Sequence, residues 1–198
     1  MLLKVKTKLI FYNEWLNKIK FQDHTDYDLK GNCGAIAVKS ESGSVYDFYR
    51  SNPVEDPKDF KYTQLYHKVN EVKSLIDYFD FIETTRVRIH KTGPGHKIPL
   101  HSDDNNIEAK KQDDYRLRMI TALNDDDDFI YRYLFENKLE EIKLKQGQTI
   151  IFDPDKVEHG LINKSKNKSR YALVQIFKAY PIDKRLMDFI NKDELVVI

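Results

Sequence analysis

Cysteine is almost missing: Cys33 is the only one in 198 residues, which excludes an internal disulfide framework and any cysteine-rich zinc module. A reducing compartment follows, and a cytoplasmic location is the expectation. No apolar run approaches the roughly 20 residues of a spanning helix. The opening MLLKVKTKLIFYNEWLNKIK also lacks the unbroken apolar stretch and small-residue cleavage site of a secretory leader. No membrane partner is expected. An excess of either charge is missing too: 33 Lys and Arg face 32 Asp and Glu, a net +1, so there is no general field for nucleic acid or anionic lipid. Internal repeats and Pro-rich tracts are absent, and the one biased run is NDDDD, from Asn124 to Asp128. What is present suffices for a core: 40% apolar and 12% aromatic residues offset the 33% that are charged. A chain of this length can bury roughly 70% of its unfolded surface.

The organisation predicts a single domain, with N-terminal helical support over 1–83, a β core over 84–180 and a C-terminal helix within 181–198. Leu9, Tyr12, Leu16 and Ile19 recur at helical spacing, as do Leu65, Val69, Val72, Leu75 and Phe79, and each set predicts one apolar stripe. CGAIAVKS between them reads as a short strand. From Thr84 the period changes to two: TTRVRIH, KIPLHSD, YRLRMITAL, FIYRYLF, EEIKLK, QTIIFD and RYALVQIF. Short strands at this density, joined by turn-like segments such as Gly93-Pro94-Gly95, predict an antiparallel sandwich or barrel. The expected fold class is mainly β with flanking helices, around a double-stranded β-helix, the cupin-like jelly roll. Asp183 is the candidate N-cap of the closing helix.

Polar residues on a face that a strand should bury mark the candidate site, because an unpaired buried charge needs a partner or a metal. In IPLHSDD, His101 and Asp103 lie two apart and share a face of an extended segment. FDPDKVEHG places His159 just after another strand. Two imidazoles and one carboxylate form the facial set that suits Fe(II) and leaves positions open for other ligands. His-x-Asp alone arises easily by chance in a chain with 21 Asp and 6 His, so the weight comes from context. Arg170 opens the last core strand on the side of Ala172, Val174 and Ile176, and a guanidinium on so small and apolar a face invites a dicarboxylate such as 2-oxoglutarate. Arg116 and Arg118 share a face in RLRM, and Arg86, Arg88 and His90 share one in RVRIH.

Four segments carry a family resemblance: RIHKTGPGHKIPLHSD, YRLRMITAL, GQTIIFDPDKVEHGLIN and SRYALVQIF. In this order the chain, from about Arg86 to Asp183, resembles Fe(II)/2-oxoglutarate oxygenases of the aspartyl/asparaginyl β-hydroxylase type and is similar to certain free-proline hydroxylases. The resemblance implies that His101, Asp103 and His159 bind iron, that Arg170 holds the distal carboxylate of 2-oxoglutarate and that Arg118 sits near its other end. His90 stands where relatives often carry a small hydroxyl residue against the cosubstrate. Ile120 stands where some members have a second histidine. The implied activity uses Fe(II), 2-oxoglutarate and O2 to hydroxylate an unactivated C–H bond of an amino acid or amino-acid side chain, releasing succinate and CO2. The partner is then a small-molecule or peptide substrate, whose carboxylate Arg86 and Arg88 could meet. The 102–114 stretch is a candidate substrate lid.

Two other functions stay open on the same scaffold: a cupin-type metalloprotein with isomerase or lyase chemistry, and a non-catalytic binding module. Other features read as structural: Arg116 as a cover for apolar surface or an ion-pair partner, NDDDD as a solvated turn, and Cys33 as a small core residue.

Overall fold

Tertiary pairing overrides local periodicity at the N-terminus. The computed structural model describes residues 2–23, 33–47, 56–103, 116–178 and 184–198. The helix expected over Leu9 to Ile19 is replaced by strand β2 (Lys8–Ile10) and a 3-10 turn at Glu14–Lys18. Tyr12, on the supposed buried stripe, is 83% exposed. The backbone is committed elsewhere: β1 (Leu2–Lys4) pairs with a later core strand, and Leu9 N donates to Gly147 O at 3.0 Å. A Cβ on Gly147, whose φ is +77°, would stand 1.6 Å from the Leu9 carbonyl oxygen, so only glycine fits this crossing. The N-terminal support thus contains five strands as well as helices, the others being β3 (Gln22–Asp23), β4 (Cys33–Ser40) and β5 (Lys61–Tyr62). The second apolar stripe is helical but divided at Val69 into α1 (Gln64–Lys68) and α2 (Asn70–Tyr78). The Thr63 hydroxyl caps α1 by accepting from Leu65 N.

The period-two region forms eight strands: β6 (Thr84–Thr92), β7 (Lys97–His101), β8 (Arg116–Ala122), β9 (Phe129–Phe135), β10 (Lys138–Ile142), β11 (Thr149–Phe152), β12 (Glu158–Asn163) and β13 (Arg170–Lys178). β12 is the strand its sequence hides. EHGLIN lacks clean alternation, yet it is central in its sheet, bonded on both sides. His159 therefore lies within a strand rather than just after one. The large sheet runs β1-β11-β8-β13-β6-β4-β3 and the small one β10-β9-β12-β7. Apart from the β9–β10 hairpin within the small sheet, successive core strands pass from sheet to sheet, and neighbours in each sheet pair antiparallel, which is the double-stranded β-helix expected. The β9–β10 hairpin turns on Glu136 and Asn137, both at positive φ, as a two-residue turn matched to strand twist requires. The expected C-terminal helix is α3 (Lys184–Asn191), and β14 (Leu195–Val197) follows it to pair in parallel with β2. Asp183 lies outside the described residues.

Alternation along the large sheet divides the interior in two. Val87, Ile89, Leu117, Met119, Ile151, Leu173 and Phe177 face an outer core shared with Val72, Leu75, Ile76 and Phe79 of α2 and its C-terminal end. Ile120, Ala122, Ile150, Phe152, Ala172 and Val174 face inward, against Phe129, Tyr131 and Tyr133 of the small sheet. Burial of this kind contributes roughly 1.5–3 kcal/mol per large side chain. The inner face leads to the site.

Candidate metal centre

His101 ends β7 and His159 lies directly across from it on β12, with ring centroids 4.5 Å apart. The register slips between His159 and Leu161. There a Cβ on Gly160 would stand 2.7 Å from Ile98 O and 2.8 Å from Pro99 O, so glycine lets the two strands close. Asp103, two residues beyond His101, is fixed by its own N–H donating to Pro154 O at 3.0 Å. Both imidazoles present the same edge. Nδ1 of His101 lies 3.0 Å from Pro99 O, and Nδ1 of His159 lies 3.1 Å from Val157 O. A carbonyl only accepts, so each Nδ1 carries the proton and each Nε2 keeps its lone pair for the centre. Asp103 Oδ1 is 3.6 Å from Nε2 of His159 and 3.8 Å from Nε2 of His101. One ligand atom from each of the three residues lies within 4.8 Å of the others. Neighbouring ligand atoms on bonds of about 2.1 Å stand about 3 Å apart, so the two separations from Asp103 to the imidazoles are within about 1 Å of a coordination shell.

Arg118 of β8 enters the same space. Its Nη1 is 2.8 Å from Nε2 of His159, its Nη2 donates to Asp103 Oδ2, and its guanidinium carbon lies 5.9 Å from the centre of the Phe152 ring. Burial pushes the Asp103 carboxyl up, but Arg118, followed by His159, Arg88 and His101, holds it below the usual carboxylate range. Burial first, and Arg118 second, pull His159 down to about 3. At neutral pH the site therefore offers a carboxylate and a neutral imidazole, the forms a metal takes.

At the other end of the inner face Arg170 is 1% exposed. Its Nη2 donates to Leu144 O at 2.6 Å and its guanidinium carbon lies 5.6 Å from the centre of the Phe129 ring. Nε and Nη1 are buried without a well-formed hydrogen bond, the Tyr131 phenol interacts with this guanidinium, and the Tyr133 hydroxyl is buried with no protein partner. Burial raises the Tyr131 phenol, with the Arg170 charge beside it acting the opposite way, and burial raises Tyr133 well above its ordinary value. Tyr131 is in register with Leu161 and Tyr133 with His159, so the two phenols form a row from the Arg170 end toward the triad. Each unmet buried donor costs roughly 1–3 kcal/mol. The donor set at the triad fits a metal, and the buried donors at the Arg170 end fit a carboxylate. Tyr131 and Tyr133 are additions to the sequence reading. The alternation of FIYRYLF shows that they share a face, but an aromatic residue reads alike as core or as donor.

Arg86, Arg88 and His90 alternate with Val87 and Ile89, which face the outer core, and so line the inner side of β6. His90 stands in register between Ala35 and Ala172, and Arg88 between Ala37 and Val174. These small neighbours leave width beside the cations, and Arg88 is close enough for its charge to act on Asp103. Ile120 joins the inner core. Of the candidate lid at 102–114, residues 104–114 lie outside the described residues, as does the side chain of Arg116. The acidic run folds as a turn: Asp126 Oδ1 accepts from Asp128 N, Asp125 Oδ1 accepts from Gln146 N, and Asp127 pairs with Lys145. Cys33 is buried, and burial pushes its thiol up to about 11. No helix among the described residues is long and apolar enough to cross a membrane.

No protein-family model and no curated protein matches the sequence. Among solved structures, an oxidoreductase of the 2OG-Fe(II) oxygenase family from Burkholderia pseudomallei is similar over 81% of this chain and 73% of its own, at 13% identity and a TM-score of 0.48. A Pseudomonas putida prolyl-4-hydroxylase is similar over 79% and 76%, at 15% identity and 0.42. An oxalate oxidase holding the substrate analogue glycolate is similar over 82% and 57%, at 11% identity and 0.43. These are likenesses of fold below a TM-score of 0.5, and the fold assignment rests on the strand order.

Proposed function

We propose that the chain is an Fe(II)- and 2-oxoglutarate-dependent oxygenase that hydroxylates an amino acid or amino-acid side chain. One observation carries the reading: the inner face holds a two-histidine, one-carboxylate set at one end and a buried guanidinium, met by one carbonyl and the Tyr131 phenol, at the other, with the unpartnered Tyr133 phenol in the same row. In this reading the Nε2 atoms of His101 and His159 and Oδ1 of Asp103 hold the iron. Arg170, through Nε and Nη1, holds the distal carboxylate of 2-oxoglutarate, with Tyr131 donating beside it, and Arg118 lies at the keto-acid end. Bound together, Fe(II), 2-oxoglutarate and O2 supply the oxidation, one oxygen atom going to the substrate C–H and the other to succinate as CO2 leaves.

The protein's own part is binding and exclusion. Phe129 and Phe152 wall the interior, where charge pairs are stronger than in water. Pro99 and Val157 carbonyls lock the imidazole tautomers. Arg86 and Arg88 offer positive charge and His90 an imidazole for a substrate carboxylate, and this supports an amino acid or a peptide carrying Asp. The reducing conditions that keep Fe(II) and a free Cys33 suit the cytoplasm.

The test is succinate release from 2-oxoglutarate by purified protein with Fe(II) in air, read by mass spectrometry against a panel of free amino acids and Asp-containing peptides. Loss of turnover in both Asp103→Ala and His159→Ala is expected, and full turnover by both removes the iron assignment. Failure of the parent protein to bind 2-oxoglutarate would favour the non-oxidative cupin chemistry instead.

A further inference from the structure

A guanidinium has donors only, yet Arg118 Nη1 rests 2.8 Å from the His159 Nε2 lone pair, the pair that the proposed metal must take. The two claims on that lone pair exclude each other. Nη2 meanwhile donates to Oδ2 of Asp103, and Oδ1 is the oxygen that faces the imidazoles, at 3.6 Å and 3.8 Å. The arginine thus leaves Asp103 one oxygen to offer and sets a permanent positive charge beside the place a dication would enter. Arg118 is buried with its guanidinium over the Phe152 ring, so water screens that charge poorly. Its Nε has no partner.

We infer that Arg118 is a positioning residue that couples metal binding to binding of an anionic keto acid, by opposing the metal alone and supporting the metal and the anion together. This rests on the metal and 2-oxoglutarate reading above. When the metal enters alone, Nη1 loses its acceptor and two positive charges are left close together. When a carboxylate arrives beside His159, Nη1 gains a new acceptor and the extra charge is cancelled. Nη2 stays on Asp103 throughout, which keeps that ligand oriented. Coupling of this kind is reciprocal, so the metal tightens the keto acid by the same factor.

Mn(II), which needs no oxygen exclusion, is the probe. The full chain is titrated with Mn(II) with and without saturating 2-oxoglutarate, free Mn(II) being followed by electron paramagnetic resonance, for the parent, Arg118→Gln and Arg118→Lys. Gln still donates to Asp103 but carries no charge. Without keto acid, Arg118→Gln binds Mn(II) at least about tenfold tighter than the parent, and the factor by which 2-oxoglutarate tightens Mn(II) shrinks at least about tenfold. Arg118→Lys keeps the charge and stays within about threefold of the parent. Equal or weaker Mn(II) binding by Arg118→Gln overturns the inference and leaves the metal site standing. Absence of Mn(II) binding by the parent under both conditions overturns the metal reading and this inference together. Thermal melts followed by circular dichroism accompany each titration. Arg118→Met, with the bulk but not the charge, replaces Gln if that variant melts early, under the same two outcomes.

Discussion

The large sheet has two faces built from the same strands, and they are packed by different rules. Its outer face meets α2 through carbon: Val87, Ile89, Leu117, Met119, Leu173 and Phe177 against Val72, Leu75, Ile76 and Phe79. Its inner face mixes Ala122, Ala172 and Val174 with Arg118 and Arg170, and looks across at two phenols, Tyr131 against the Arg170 guanidinium and Tyr133 with no partner for its hydroxyl. The first arrangement gives stability and the second gives up some of it. A fold that only had to persist would not bury guanidinium nitrogens without acceptors, because isosteric apolar side chains would serve better. The contrast locates function on the inner face independently of any metal.

Four measurements break or sharpen the contrast. The largest effect belongs to the outer face: Phe79→Ala should lower unfolding free energy by about 3–5 kcal/mol in urea denaturation, because Phe79 is fully buried among apolar neighbours. Arg170→Met should do the reverse on the inner face. It should leave the ligand-free protein equally stable or up to about 3 kcal/mol more stable, while 2-oxoglutarate binding, read by calorimetry, weakens at least about 100-fold. A loss of stability as large as that of Phe79→Ala would make Arg170 a structural residue. The outer face has its own exception in Gln175, buried among Met119, Leu173 and Phe177 with neither end of its amide partnered. Gln175→Met should raise stability by about 1–2 kcal/mol and leave ligand binding unchanged. The smallest effect concerns Cys33, at the end of the β4 row that carries Ala35 and Ala37. With its thiol pushed to about 11 by burial, alkylation at pH 8 should run about 100-fold slower than in the urea-unfolded chain. Equal rates would mean that water reaches this end of the sheet.

Much of this was legible beforehand, for reasons that can be named. Period-two alternation found seven of the eight core strands, because a strand between a core and another layer must alternate. The same rule put His101 and Asp103 on one face and Arg170 beside Ala172. It failed at β12, where Gly160 and Glu158 break the pattern and pairing on both sides supplies the strand. It failed again at Leu9 to Ile19, where bonds to Gly147 and to β14 outweigh a helical spacing that Tyr12 already contradicted by being exposed. Arg118 was expected near the cosubstrate, but its grip on Asp103 and His159 depends on how deep its strand sits relative to β7 and β12. Sequence spacing does not encode that depth. The surroundings of the Tyr131 and Tyr133 hydroxyls were hidden for the same reason, since what a phenol meets is settled by the opposite wall.

The glycine at 160 reaches further than its size. Because main chain touches main chain there, the gap between the imidazole edges is set by peptide planes rather than by flexible side chains, and a methyl group would act as a wedge between β7 and β12. The bite distance the triad would offer the proposed ion is thus inherited from a residue that contributes no ligand atom. Gly160→Ala should blunt metal selectivity while every coordinating group remains in place.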